Sequence, residues 1–153
     1  MSRLSPAAAA GAATSATYGH TGVAEAPAAR LLGWDCIELW VGNARTTAGF
    51  LMSAFGFRCT AYAGPETGVR HKASYVLEQS DVRLVVSAAL QADSPIAAHV
   101  RTHGDGVHDL AWLVDDARAA FTAAMSRGAR AVREPWEEQD EQGRLVLAQI
   151  AAY

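Results

Sequence analysis

The sequence predicts an α+β fold made of paired βαβββ units, the second lacking its last strand. Three observations carry that expectation. Strand-like and helix-like runs begin abruptly at Trp34, after a long Ala-rich opening. The order strand, cap, helix, glycine then recurs 73 positions later. The second copy has only two strands after its helix, where the first has three.

Residues 1–32 carry neither helical nor strand periodicity and few large apolar groups. Such a segment offers too little apolar surface to offset the entropy of ordering, so a disordered tail is expected. Trp34 to Val41 reads as a strand from its aromatic and β-branched content. Asn43 is placed to cap a helix with Phe50, Leu51, Ala54 and Phe55 on one face and Gly56 at its end. Phe57 to Ala63 is the second strand, and Gly64-Pro65-Glu66-Thr67-Gly68 has turn chemistry. Ala73 to Glu78 and Val82 to Ser87 complete the unit as a hairpin. A short helix follows from Ser94-Pro95 to His103, with proline in its first turn and Gly104 after its end. Val107 to Val114 is again a strand, Asp116 caps a helix, and Gly128 closes it. Val132 to Trp136 and Leu145 to Ala151 are two further strands around an acidic turn, Glu137 to Gly143.

The recurrence can be followed residue by residue. A shift of 73 lays Val41 on Val114, Asn43 on Asp116, Ala44 on Ala117, Arg45 on Arg118, Met52 on Met125 and Ser53 on Ser126. One gap then brings Gly56 onto Gly128 and Arg58 onto Arg130. The expected domain is 33–153, with a first unit at 33–90 and a second at 107–153. A unit short of its final strand leaves backbone donors and acceptors without partners, so the fold reads as cut at Tyr153.

Composition narrows the function. With half the chain apolar and 19% charged, a globular domain is expected. Net charge is −3 with no basic stripe, which removes the electrostatic basis for nucleic-acid binding. Cys36 and Cys59 sit in apolar strand-like runs and read as buried free thiols of a reducing compartment. The Ala-rich opening lacks a Leu-rich core, and no run approaches about 18 strongly apolar residues. The cytoplasm is therefore the expected location.

Several blocks are similar to 4-hydroxyphenylpyruvate dioxygenases of the vicinal oxygen chelate superfamily. They include Ile37-Glu38-Leu39-Trp40-Val41-Gly42-Asn43-Ala44 and Ala61-Tyr62-Ala63-Gly64-Pro65-Glu66-Thr67-Gly68. Ala73-Ser74-Tyr75-Val76-Leu77 and His103-Gly104-Asp105-Gly106-Val107 follow in order. Then come Arg127-Gly128-Ala129-Arg130, Glu134-Pro135-Trp136 and Asp140-Glu141-Gln142-Gly143. The resemblance implies the amino-terminal, non-catalytic half of an iron(II) enzyme of tyrosine catabolism. That enzyme converts 4-hydroxyphenylpyruvate and dioxygen to homogentisate and carbon dioxide. It also implies a further domain holding the two histidines and one carboxylate that bind iron, so no cofactor is expected for this chain. The implied partners are an aromatic 2-oxo acid and dioxygen, both through that other domain, with a homo-oligomer expected. Two alternatives stay open: a fragment of the related hydroxymandelate synthase, or a freestanding small-molecule binding or resistance module of the same superfamily.

The superfamily places metal ligands on the first strand of each unit, and the repeat identifies those slots here as Cys36 and Asp109. A thiol with one carboxylate is not a facial triad, so the slots read as vestigial and no metal, catalytic or cofactor-binding residue is expected. His99 and His103 share a helical face at the spacing of a zinc pair, with His108 nearby, but no glutamate lies between them. A solvated helix face is the reading. His71, beside Lys72, reads as surface, and Trp34, Trp40, Trp112 and Trp136 read as core fillers. The stretches Gly104-Asp105-Gly106 and Gly64 to Gly68 are turns and not phosphate loops.

Overall fold

The computed structural model describes residues 28–140 and 143–151. Among these residues seven strands and three α-helices run in the order β1 (Leu31–Trp40), α1 (Ala44–Phe55), β2 (Arg58–Ala63), β3 (Lys72–Gln79), β4 (Val82–Ala89), α2 (Pro95–His103), β5 (Gly106–Val114), α3 (Ala117–Ser126), β6 (Arg130–Asp140) and β7 (Gly143–Ala151). A short 3-10 turn at Pro65–Thr67 joins β2 to β3.

The starts of α1 and α3 match closely in backbone. Asn43 has φ −145° and ψ 97°, and Asp116 has φ −143° and ψ 102°. Each offers a side-chain oxygen to amides of the first turn: Asn43 to Thr46, and Asp116 to Arg118 and Ala119. These contacts satisfy N–H groups that a helix start leaves bare. Both helices end at a glycine in the left-handed region, Gly56 at φ 77° and Gly128 at φ 93°. At α3 the closure is a Schellman motif, with Gly128 N–H on the Met125 carbonyl and Ala129 N–H on that of Ala124.

The units differ in how their strands assemble. The first forms β2-β3-β4-β1, with β4 parallel to β1 and antiparallel to β3. β5 then adds to this sheet antiparallel to β1, giving the order β2-β3-β4-β1-β5. β6 and β7 form a separate two-stranded sheet, with α3 packed against it.

The core lies between α1 and the first sheet. Ala44 and Ala48 on α1 meet Val41, Leu77, Val86 and Ala88, with Leu39, Leu51, Phe57, Tyr75 and Leu84 around them. Leu77, Val86 and Ala48 are fully buried. The small alanines allow the helix to sit close on the sheet.

Four sequence expectations need correction. β1 starts at Leu31, inside the segment expected to be disordered, because Leu31 pairs with Val114. Just before it, Arg30 is tied to Asp115, its backbone N–H and guanidinium both reaching the carboxylate, at 2.7 and 3.0 Å. Residues 1–27 of that tail lie outside the described residues. The expected acidic turn is largely strand: β6 runs through Glu137, Glu138 and Gln139, whose Cα partners are Val146, Leu145 and Arg144. Glu137 tolerates that position because Arg118 and Arg144 both bond to it, which holds its carboxyl below the usual range. Cys59 is exposed and Cys36 only half-buried. Trp34 and Trp112 are 59% and 53% exposed, stacked edge to face on each other and not filling the core.

Candidate functional site

Along β1, side chains alternate faces. Leu39 and Val41 go to the α1 core, so Cys36, Glu38 and Trp40 share the opposite face. The β1–β5 register places Asp109 directly opposite Glu38, and Ala111 opposite Cys36. The two repeat-equivalent residues therefore reach one face as diagonal neighbours. Glu38, two residues along β1 from Cys36 and opposite Asp109, completes the group.

Glu38 anchors a polar strip. On β4 and β3, Ser87 and Ser74 are Cα partners on the same side of the sheet, and both are buried. The Ser87 hydroxyl donates to Glu38 Oε1 at 2.7 Å, and the Ser74 and Ser87 hydroxyls are 2.8 Å apart. A hydroxyl has one proton to give, and that of Ser87 goes to the carboxylate, so Ser74 must donate to Ser87. On the other side, the Gln149 amide of β7 donates to Asp109 Oδ2 at 2.9 Å, linking the second sheet to the first. Period-two alternation could have found Glu38. Ser74, Ser87 and Gln149 depend on pairing across strands far apart in sequence, which leaves no local signal.

Burial pushes the Cys36 thiol up from its ordinary range, and neighbouring Asp35, Asp109 and Glu38 push the same way while Arg83 opposes them. A thiol held protonated is a poor metal ligand. The donors on this face are one thiol and two carboxylates, with carboxylate oxygens already engaged by Ser87 and Gln149. His108, the residue before Asp109, lies flat on Trp40, ring centroids 3.3 Å apart. This set does not fit the two-histidine, one-carboxylate iron site, and among the described residues no three His, Cys, Asp or Glu side chains converge on one point.

His99 and His103 do come together, their ring centroids 5.0 Å apart. His103 is exposed, in keeping with a solvated helix face, whereas His99 is half-buried, its ring edge-on to Trp40 at 5.4 Å and to His108 at 5.9 Å. His71 is exposed, as expected.

The pattern of the Glyoxalase/Bleomycin resistance protein/Dioxygenase superfamily matches residues 35–147. The chain belongs to that superfamily. Within it, the chain is similar to 4-hydroxyphenylpyruvate dioxygenase from Xenopus tropicalis, 38% identical over 125 residues, covering 81% of this chain and 32% of that protein. Among solved structures it resembles a mutant 4-hydroxymandelate synthase from Streptomyces coelicolor, with TM-score 0.72 and 36% identity over 79% of this chain and 36% of that one. Methylmalonyl-CoA epimerase from Mycobacterium tuberculosis, at TM-score 0.60 and 20% identity over 78% of this chain and 79% of that one, shares the fold alone. The chain spans about a third of the length of the curated relatives it matches. Among the described residues no helix is long and apolar enough to cross a membrane.

Proposed function

We propose that this chain is the amino-terminal, non-catalytic domain of an iron(II)-dependent 4-hydroxyphenylpyruvate dioxygenase, acting in the cytoplasm in tyrosine catabolism. The observation that carries this reading is the match, at 36–39% identity, to dioxygenases of which the chain spans about a third. The polar strip supports it: Glu38 and Asp109 are satisfied from within, by Ser87 and Gln149, as suits a scaffold domain. Iron, the aromatic 2-oxo acid and dioxygen belong to a separate catalytic domain, and the whole enzyme assembles as a homo-oligomer. The hydroxymandelate synthase neighbour favours a second reading, in which that other domain directs the same substrate and dioxygen to a different product.

The test joins gene and protein. The coding frame beyond Tyr153 should continue into a domain with two histidines and a glutamate at strand positions. A stop codon with no second half nearby would move the assignment to a freestanding binding module. The purified chain with iron(II) and 4-hydroxyphenylpyruvate should consume dioxygen no faster than a protein-free blank. Uptake that disappears in Cys36→Ala or Asp109→Ala would show a working site in this domain.

A further inference from the structure

We propose that His99 and His103 form a two-imidazole site for a borderline divalent cation, of the class of zinc, nickel or copper(II). The site uses neither Cys36 nor Asp109, although His99 rests on Trp40 of the same sheet face, and it does not depend on the dioxygenase reading. Its first support is distance. A zinc ion about 2.1 Å from each ring nitrogen stands about 3.2 Å from each ring centroid, so a tetrahedral pair has centroids about 5.2 Å apart. The His99 and His103 centroids are 5.0 Å apart, with the ring planes inclined by 47°. The i, i+4 spacing on α2 holds both rings on one face without any rearrangement of backbone.

The second support is that the central ring is already fixed. Trp40 meets His99 at 90° from β1, and His108 meets it at 77° from β5. A ligand held by packing loses little freedom when it binds, whereas an imidazole on a bare helix must be ordered by the metal itself. The surroundings also favour a cation. His103 is the last residue of α2, where the helix dipole is negative. Among the described residues no third His, Cys, Asp or Glu joins the pair, so the remaining positions of the ion are left to water or to an exchangeable ligand. Imidazole donors select the later first-row divalent ions over magnesium or calcium.

The experiment is calorimetric titration of zinc chloride into the tag-free chain, repeated with magnesium chloride. One zinc per chain and no magnesium are expected. His103→Gln and His99→Gln should each weaken zinc by about tenfold or more, because one imidazole is a far poorer site than two. His71→Gln, an exposed histidine elsewhere, should leave the affinity unchanged. His103 is itself exposed, so its replacement keeps the fold and separates loss of a ligand from loss of structure. Copper(II) should also quench the emission of Trp40, which touches His99, and the quenched component should vanish in Trp40→Phe. Zinc affinity that survives in the His99→Gln/His103→Gln double variant, or no zinc uptake by the unaltered chain at millimolar metal, overturns the proposal.

Discussion

Replacing Ser87 by alanine tests the direction in which protons run along the buried strip. Ser87 is fully buried, and its hydroxyl is the donor to Glu38 and the acceptor from Ser74. Its loss removes a bond to a charged group, worth about 1.5–3 kcal/mol, and leaves the buried Ser74 hydroxyl without its acceptor, at about 1–3 kcal/mol. Allowing for local adjustment, Ser87→Ala should cost roughly 3 kcal/mol. Ser74→Ala removes only a neutral bond and leaves Ser87 bound to Glu38, so it should cost roughly 1 kcal/mol. Urea unfolding reads the difference directly. With a slope of about 1.5 kcal/mol per molar, the midpoint should fall by about 2 M in the first variant and about 0.7 M in the second. Equal losses would refute the reasoning, because they would mean that the Ser87 proton is not committed to Glu38.

Three further outcomes follow from other sites. Exposed Cys59 should react with a disulfide reagent at pH 8 much faster than Cys36, whose thiol burial holds protonated; equal rates would contradict that environment. The Tyr62 hydroxyl donates to Glu66 at 2.7 Å, which pushes the tyrosine up to about 12. This raised value adds stability below about pH 10 that is lost as pH climbs toward about 12, and Glu66→Gln should bring the phenolate absorbance titration down toward 10. Gly56→Ala, at φ 77°, should lower stability by about 1 kcal/mol by thermal unfolding, while Gly49→Ala on the same helix, with open space beside it, should not.

What the sequence made legible was whatever a few neighbouring residues decide. Asn43 and Asp116 could be read as caps because a cap needs one side chain and the next two or three amides. Gly56, Gly104 and Gly128 could be read as stops for the same reason. The repeat was visible because duplicated local signals keep their order. The limits of β1 and β6 were not visible, because partners set them: Leu31 is strand through Val114, and Glu137 through Val146 with two arginines to balance it. Aromatic content said strand at Trp34 and Trp112 but could not say that their shared face would stay open. The repeat also picked out Cys36 and Asp109, whereas the strip that engages Asp109 and Glu38 emerged only with the register of four strands and the approach of β7.

The loan of β5 to the first sheet divides the molecule into parts of unequal cooperativity. β1 through β5 share one continuous ladder of amides, and α1 seals it with the buried core. Among the described residues α3, β6 and β7 pack chiefly on one another, with the turn at Asp115 and Asp116 and the Gln149–Asp109 bond among their links to the rest. Amides of Val85, Val86 and Leu77 should therefore exchange with solvent only on global unfolding, while those of β6 and β7 exchange through a smaller opening that leaves the first sheet intact. The carboxy-terminal hairpin is thus the part of the domain that can loosen and re-dock on its own, without melting the sheet beside it.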